Sequence, residues 1–130
     1  MKNIKLLVFI FLVDTLSLNA QEPSNLYPLE AKIKYHTDWT KNHYVGRLNE
    51  FSSDPAKDGD IIFIGDSITE GGKTWSSKFN RNNIKNRGIS GDVTDGVITR
   101  LGEIFYFKPK AVFIMIGVND LFNLHYQKEI

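Results

Sequence analysis

Asp60-Ile61-Ile62-Phe63-Ile64-Gly65-Asp66-Ser67-Ile68-Thr69 is the stretch whose reading decides the fold. Four consecutive apolar residues follow an acid, and the turn-rich segment 53–59 (SDPAKDG) precedes them. A short unbroken apolar run bounded by turn signals reads as a strand buried on both faces, the parallel-sheet kind. A polar loop follows at once, so Ser67 stands just past the strand end, exposed and rigidly mounted. Gly65 allows the sharp turn, and the backbone amides that follow can face a developing negative charge.

The pattern repeats downstream. Residues 84–87 give a second, compositionally weaker strand, and residues 111–116 (AVFIMI) a third. Between them Val93, Val97, Leu101 and Phe105 are four apart, with Ile98 and Ile104 beside them, which predicts one amphipathic helix. Pro109 lies beyond its end, where a helix cannot continue. Upstream, residues 21–28 read as an extended lead-in. Thr37 is a candidate cap for a helix to about residue 52, with Tyr44, Leu48 and Phe51 at helical spacing and Trp39 one turn earlier. Trp39 and His43 read as a solvated or packed face of that helix. The alternation implies an α/β domain with a parallel sheet. Each strand ends in a polar, glycine-bearing loop (GDSITEGG, GISGD and GVND). Ligands bind at the carboxyl ends of strands in open α/β sheets, so the three loops are expected to converge on one rim.

Composition narrows the function. The chain has 130 residues, about one domain, with 16 Lys+Arg against 15 Asp+Glu and a net charge of +1. That balance argues against a nucleic-acid binder. The absence of cysteine removes disulfide scaffolds, cysteine nucleophiles and thiolate metal sites, and three scattered histidines do not suggest a metal centre. No cofactor or metal is expected. Lys2 and Lys5, the apolar run 6–13 (LLVFIFLV) and Ala20 before Gln21 read as a secretory signal peptide, residues 1–20, ahead of a domain at 21–130. The run is far shorter than the ~20 apolar residues of a membrane span. A buried N-terminal strand or helix is the alternative. The implied location is secreted or periplasmic.

The segment Gly65-Asp66-Ser67-Ile68-Thr69 resembles the nucleophile block of the SGNH, or GDSL, hydrolases. Asn86-Arg87-Gly88 is similar to the second block, and Gly117-Val118-Asn119-Asp120 to the third. One block alone is weak, since Gly-Asp-Ser is a common tripeptide; three in order, each after an apolar run, are specific. The stretch from Trp39 onward is similar to bacterial secreted members related to platelet-activating-factor acetylhydrolases and sugar O-acetylesterases. The resemblance implies a three-layer α/β/α, flavodoxin-like fold with strand order 2-1-3. It also implies a serine esterase that works through an acyl-enzyme. Ser67 would be the nucleophile, and the Ser67 amide, the Gly88 amide and the Asn119 side chain would hold the oxyanion. The implied partner is a small-molecule or glycan acyl ester, with acetylated sugars, lysophospholipids and simple esters all open. Taken singly, Ser67 and Asn119-Asp120 also fit helix caps or turns, and Gly88 a turn. Asp66 and Asp120 read as loop scaffolding, Asp92 and Asp95 as helix-start acids.

A catalytic serine needs a base. The family places it in an Asp-x-x-His block, and none follows Asn119; Phe122 stands three residues before His125. None of His36, His43 and His125 is expected within reach of Ser67. The chain therefore reads as an N-terminal part of a hydrolase, with about three strands and catalytically crippled as it stands. The rival reading is a non-catalytic SGNH-like glycan-binding module. A phosphate loop at residues 67–74 (SITEGGKT) fails, because serine occupies position 67 where its first glycine belongs.

Overall fold

Thr37 starts the first helix by a reciprocal cap. Its hydroxyl oxygen accepts from the Thr40 amide at 3.3 Å, and the Thr40 hydroxyl oxygen accepts from the Thr37 amide at 2.7 Å. Helix α1 (Asp38–Ser53) then buries Tyr44, Leu48 and Phe51, the residues its spacing singles out. The computed structural model describes residues 26–126; the segment read as a signal peptide, 1–20, lies outside them. The remaining elements are β1 (Ile61–Gly65), α2 (Ser67–Gly71), α3 (Trp75–Lys78), β2 (Ile84–Gly88), α4 (Thr94–Thr99), α5 (Gly102–Phe107), β3 (Ala111–Met115) and α6 (Val118–Tyr126).

The three strands are parallel and ordered β2-β1-β3. Gly65 pairs with Gly88 on one side and with Met115 on the other, so all three strands end at the same level. On one face of the sheet Ile62 and Ile64 pack with Ala56 and Val97, and with Leu101, Ile104 and Phe107 at the edge of that cluster. On the other face Phe63 meets the rings of Trp75, Phe79 and Phe113. This is the α/β layering expected, with order 2-1-3. No helix among the described residues is long and apolar enough to cross a membrane.

Two expectations need correction. The strand β1 is fully buried only at Ile62 and Ile64 within its apolar run; Ile61 and Phe63 are half-buried. At the sheet edge β3 exposes Phe113, Ile114 and Met115, as a third strand with no cover beyond it among the described residues does. The single helix expected along the Val93–Phe105 stripe is two short helices. Arg100 leaves helical geometry (φ −106°, ψ 20°) and turns its guanidinium inward, and Gly102, a poor helix former, opens α5. Val97 is buried and Leu101 and Ile104 pack at the core, whereas Ile98 and Phe105 face solvent.

The inward turn serves a buried charge network. Arg100 donates to Asp92 Oδ2 from Nε (3.1 Å) and Nη2 (2.9 Å), to the Arg87 carbonyl (2.8 Å) and to the Gly65 carbonyl (3.1 Å). Asp92, at the entry to α4 where a helix-start acid was expected, is also a buried ion-pair partner. Its Oδ1 accepts from the Val93 amide at 3.0 Å. A second forked pair joins Arg87 to Glu103 at 2.7 and 2.8 Å, and Glu103 also accepts from the Ala56 amide and the Tyr27 hydroxyl.

Candidate active site

Ser67 is the first residue of α2, two residues past the end of β1, and its side chain is exposed. Asp66 caps the helix through Oδ1, which accepts from the Ile68 amide at 3.0 Å. Its buried Oδ2 has no partner among the described residues. The Ser67 amide, at the first helical position, has no acceptor within the helix. The turn is clamped from below: the Gly65 carbonyl accepts from the Ile89 amide at 3.0 Å and from Arg100. The loop after β1 is thus bonded directly to the loop after β2.

Asn119 lies in the first turn of α6, two residues past Gly117. Its Nδ2 donates to the Asp92 carbonyl at 2.8 Å, which brings the third loop onto the second. An amide NH2 carries two hydrogens, so one remains for a ligand. The neighbouring Asp120 carboxylate accepts from the Thr94 amide (3.0 and 3.2 Å) and hydroxyl (3.1 Å), holding the start of α4. Ser67 and Asn119 therefore stand on one sheet rim.

Gly88 does something other than expected. Its amide donates to Asn86 Oδ1 at 2.9 Å. A Cβ there would overlap the α2 backbone, standing 2.6 Å from Glu70 Cα and 2.7 Å from the Thr69 carbonyl carbon. Gly88 lets β2 approach the serine helix. The glycine suited to offer an amide is Gly91, three residues on, between Ser90 and Asp92. It has φ +80°, where L side chains are strained, and its amide has no acceptor among the described residues. The signal was in the sequence, since the second loop carries two glycines; spacing alone did not rank them.

His43 is bonded elsewhere, and His36 is buried with no hydrogen-bond partner at Nε2 among the described residues. His36 Nε2 lies 3.7 Å from Asp92 Oδ1 in the interior. His43 Nε2 bonds both oxygens of Glu70 at 3.0 and 3.1 Å, and its ring stacks on exposed Trp39 with centroids 5.1 Å apart. His125, in the last turn of α6, meets Tyr126 edge-on. The Glu70 carboxylate also accepts from the Ser90 amide (2.5 Å) and hydroxyl (2.7 Å). Burial pushes its carboxyl up, but the hydrogen bonds from His43 and Ser90 together outweigh this and leave it below the usual value. Sequence reasoning gave Glu70 no role. No group of three or more acids and histidines suited to a metal ion occurs among the described residues.

A serine mounted past the central strand of a parallel sheet, flanked on one rim by a positive-φ glycine and an asparagine amide, is the layout of an α/β acylhydrolase. The chain belongs to the GDSL-like Lipase/Acylhydrolase family, whose family model matches residues 63–130, and is by that membership assigned to the ester hydrolases. No curated protein matches it.

Proposed function

We propose that the domain is a secreted serine esterase that cleaves O-acyl esters, acetyl esters in the first instance, of a carbohydrate or lipid alcohol. The observation that carries this reading is the common rim. Ser67 stands there with three donors: its own amide, the Gly91 amide and Asn119 Nδ2. In the reaction the Ser67 oxygen bonds to the ester carbonyl carbon and its proton passes to a base. The negative carbonyl oxygen lies between the three donors, each worth ~3–4 kcal/mol to such a transition state. Collapse breaks the bond to the alcohol, which leaves with the proton, and water then releases the acid from Ser67. Gly91 takes the part that the resemblance had given to Gly88, whose amide is already bonded. The base belongs to the family's Asp-x-x-His block, a pattern that residues 120–130 do not contain.

A ring-bearing alcohol is favoured by Trp39. Its indole is 62% exposed, is stacked on His43, and lies 3.6 Å from the Cβ position of Gly91. Its neighbours along the helix, Asp38, Lys41 and Asn42, are polar and exposed. A flat apolar surface in a polar frame suits a sugar ring better than an acyl chain. Secretion is supported by the basic start, apolar run and Ala20 of the leader.

The test is hydrolysis of 4-nitrophenyl acetate by residues 21–130 and by the longest product of the same reading frame, each with and without Ser67→Ala. Turnover by a form carrying an Asp-x-x-His block, lost by several orders of magnitude in Ser67→Ala, is expected. Inert forms that still bind acylated glycans would establish the binding-module reading instead. Turnover indifferent to Ser67 would refute the mechanism.

A further inference from the structure

We propose that Glu70 is a positioning residue that holds the amide-bearing loop, residues 89–92, in register with the serine helix; this rests on the esterase reading above. Glu70 lies three residues after Ser67 on α2, so any force on its carboxylate is transmitted to the helix that carries the nucleophile. That carboxylate is shared between the loop after β2 and helix α1. Oε2 accepts from the Ser90 amide at 2.5 Å and from the Ser90 hydroxyl at 2.7 Å. His43 of α1 bonds both oxygens, and Arg47 Nε, one turn further along α1, lies 3.7 Å from Oε1. The main chain of Glu70 takes part as well, its carbonyl accepting from Asn86 Nδ2 at 3.1 Å.

Ser90 immediately precedes Gly91, so fixing the Ser90 amide and hydroxyl fixes one end of the peptide unit that carries the Gly91 N–H. The other end is held through Asp92, whose carbonyl accepts from Asn119 and whose carboxylate is gripped by Arg100. Gly91 sits between these anchors at φ +80°, with Thr40 and Trp39 of α1 against it. The Arg100 anchor maintains the fold of the loop, whereas the Glu70 anchor sets its distance from Ser67. A donor must lie about 2.7–3.1 Å from where the oxyanion forms, so a small shift of this loop weakens transition-state binding and leaves ground-state binding nearly intact. A purely structural ion pair would instead change stability and leave the kinetic constants alone.

The experiment uses the hydrolytically active protein with Glu70→Gln and Glu70→Asp, 4-nitrophenyl acetate as substrate, thermal unfolding as the control, and amide hydrogen exchange at Ser90. Expected for Glu70→Gln is a fall in kcat on the order of 10- to 100-fold, a part of the ~10²–10³ lost when a donor is removed outright. KM should stay within about twofold, and the Ser90 amide should exchange about tenfold faster, because its charged acceptor is replaced by a weaker neutral one. Glu70→Asp, which keeps the charge but draws it back by one carbon, should fall between wild type and Glu70→Gln in kcat. Unchanged kcat in Glu70→Gln, with Ser67→Ala inactive, overturns the proposal and leaves the esterase reading standing. A fall in kcat matched by an unfolding midpoint below the assay temperature, and abolished by assaying colder, also overturns it. Absence of any Ser67-dependent hydrolysis removes the esterase reading and the role of Glu70 with it.

Discussion

Replacing Arg100 by methionine tests whether the rim is built on a buried ion pair. The guanidinium is 3% exposed and its partner Asp92 is fully buried. Four donated hydrogen bonds are removed together, two to Asp92 and one each to the carbonyls of Arg87 and Gly65, near the ends of β2 and β1. Methionine fills much of the volume but offers no donor, so Asp92 keeps only its bond from the Val93 amide and the distant His36. Removing one partner of a buried pair costs about 3–5 kcal/mol. A domain of this size is stable by roughly 5–15 kcal/mol, so the variant should retain folded structure with a much lower midpoint. In urea, with a slope of about 1–3 kcal/mol/M, even the lower figure moves the midpoint by roughly 1–3 M. The assay is urea unfolding followed by the fluorescence of Trp39 and Trp75. The double variant Arg100→Met with Asp92→Asn should be more stable than the sum of the two single losses by at least about 1 kcal/mol, because neither charge is then stranded. Lysine should not rescue, since one ammonium cannot reach acceptors on three segments in the planar fork that arginine presents. A loss under about 1 kcal/mol in Arg100→Met, or strict additivity in the double variant, would falsify the reasoning.

Two further outcomes follow from the same geometry. Gly88→Ala should lose about 1–3 kcal/mol or more in urea unfolding, because its Cβ meets the backbone of Thr69 and Glu70 rather than a side chain that can move; a wild-type midpoint would show that β2 and α2 have room to separate. Glu70 has a carboxyl held below its ordinary value of 4.5, so it stabilises the fold above that pH and the contribution disappears as pH falls through the lower, folded value. As pH falls below 4.5 the wild type should therefore lose more stability than Glu70→Gln, and parallel pH profiles for the two would contradict the assignment.

Much of the scaffold was legible because it depends on local chemistry. Thr37 announced α1, the apolar runs announced three strands, and the glycine-bearing loops announced the rim. What the sequence hid depends on partners distant in the chain. Arg100 interrupts an apolar stripe that periodicity reads as one helix, because its acceptors lie at residues 65, 87 and 92, beyond any helical window. Asp92 was read only as a helix-start acid for the same reason. Gly88 and Gly91 are equivalent in composition. Only the approach of α2 to β2 separates the glycine that must lack a side chain from the one that presents an amide. Glu70 was overlooked because a glutamate in a polar loop reads as solvated until Ser90 and His43 are seen to converge on it.

The three loops share a device that explains why their chemistry and their scaffolding cannot be read apart. Each proposed oxyanion donor is the chain neighbour of an acid that fixes backbone amides: Ser67 follows Asp66, Gly91 precedes Asp92, and Asn119 precedes Asp120. Asp66 accepts from the Ile68 amide, Asp92 from the Val93 amide, and Asp120 from the Thr94 amide. The last two acceptances fall on consecutive residues, so the second and third loops converge on the entry to one helix, α4. A donor aimed at a transient negative charge must be held before the charge appears, since reorganisation at that moment would consume the stabilisation it provides. Placing the rigidifying acid next in sequence to the donor does this within one peptide unit. Each acid engages a backbone amide, and Asp92 is also paired with Arg100, which draws negative charge away from the same donors. On this argument the aspartates of the three motifs set donor geometry rather than carry protons, and neutralising any one of them should displace its neighbouring donor more than it alters the charge felt by the substrate.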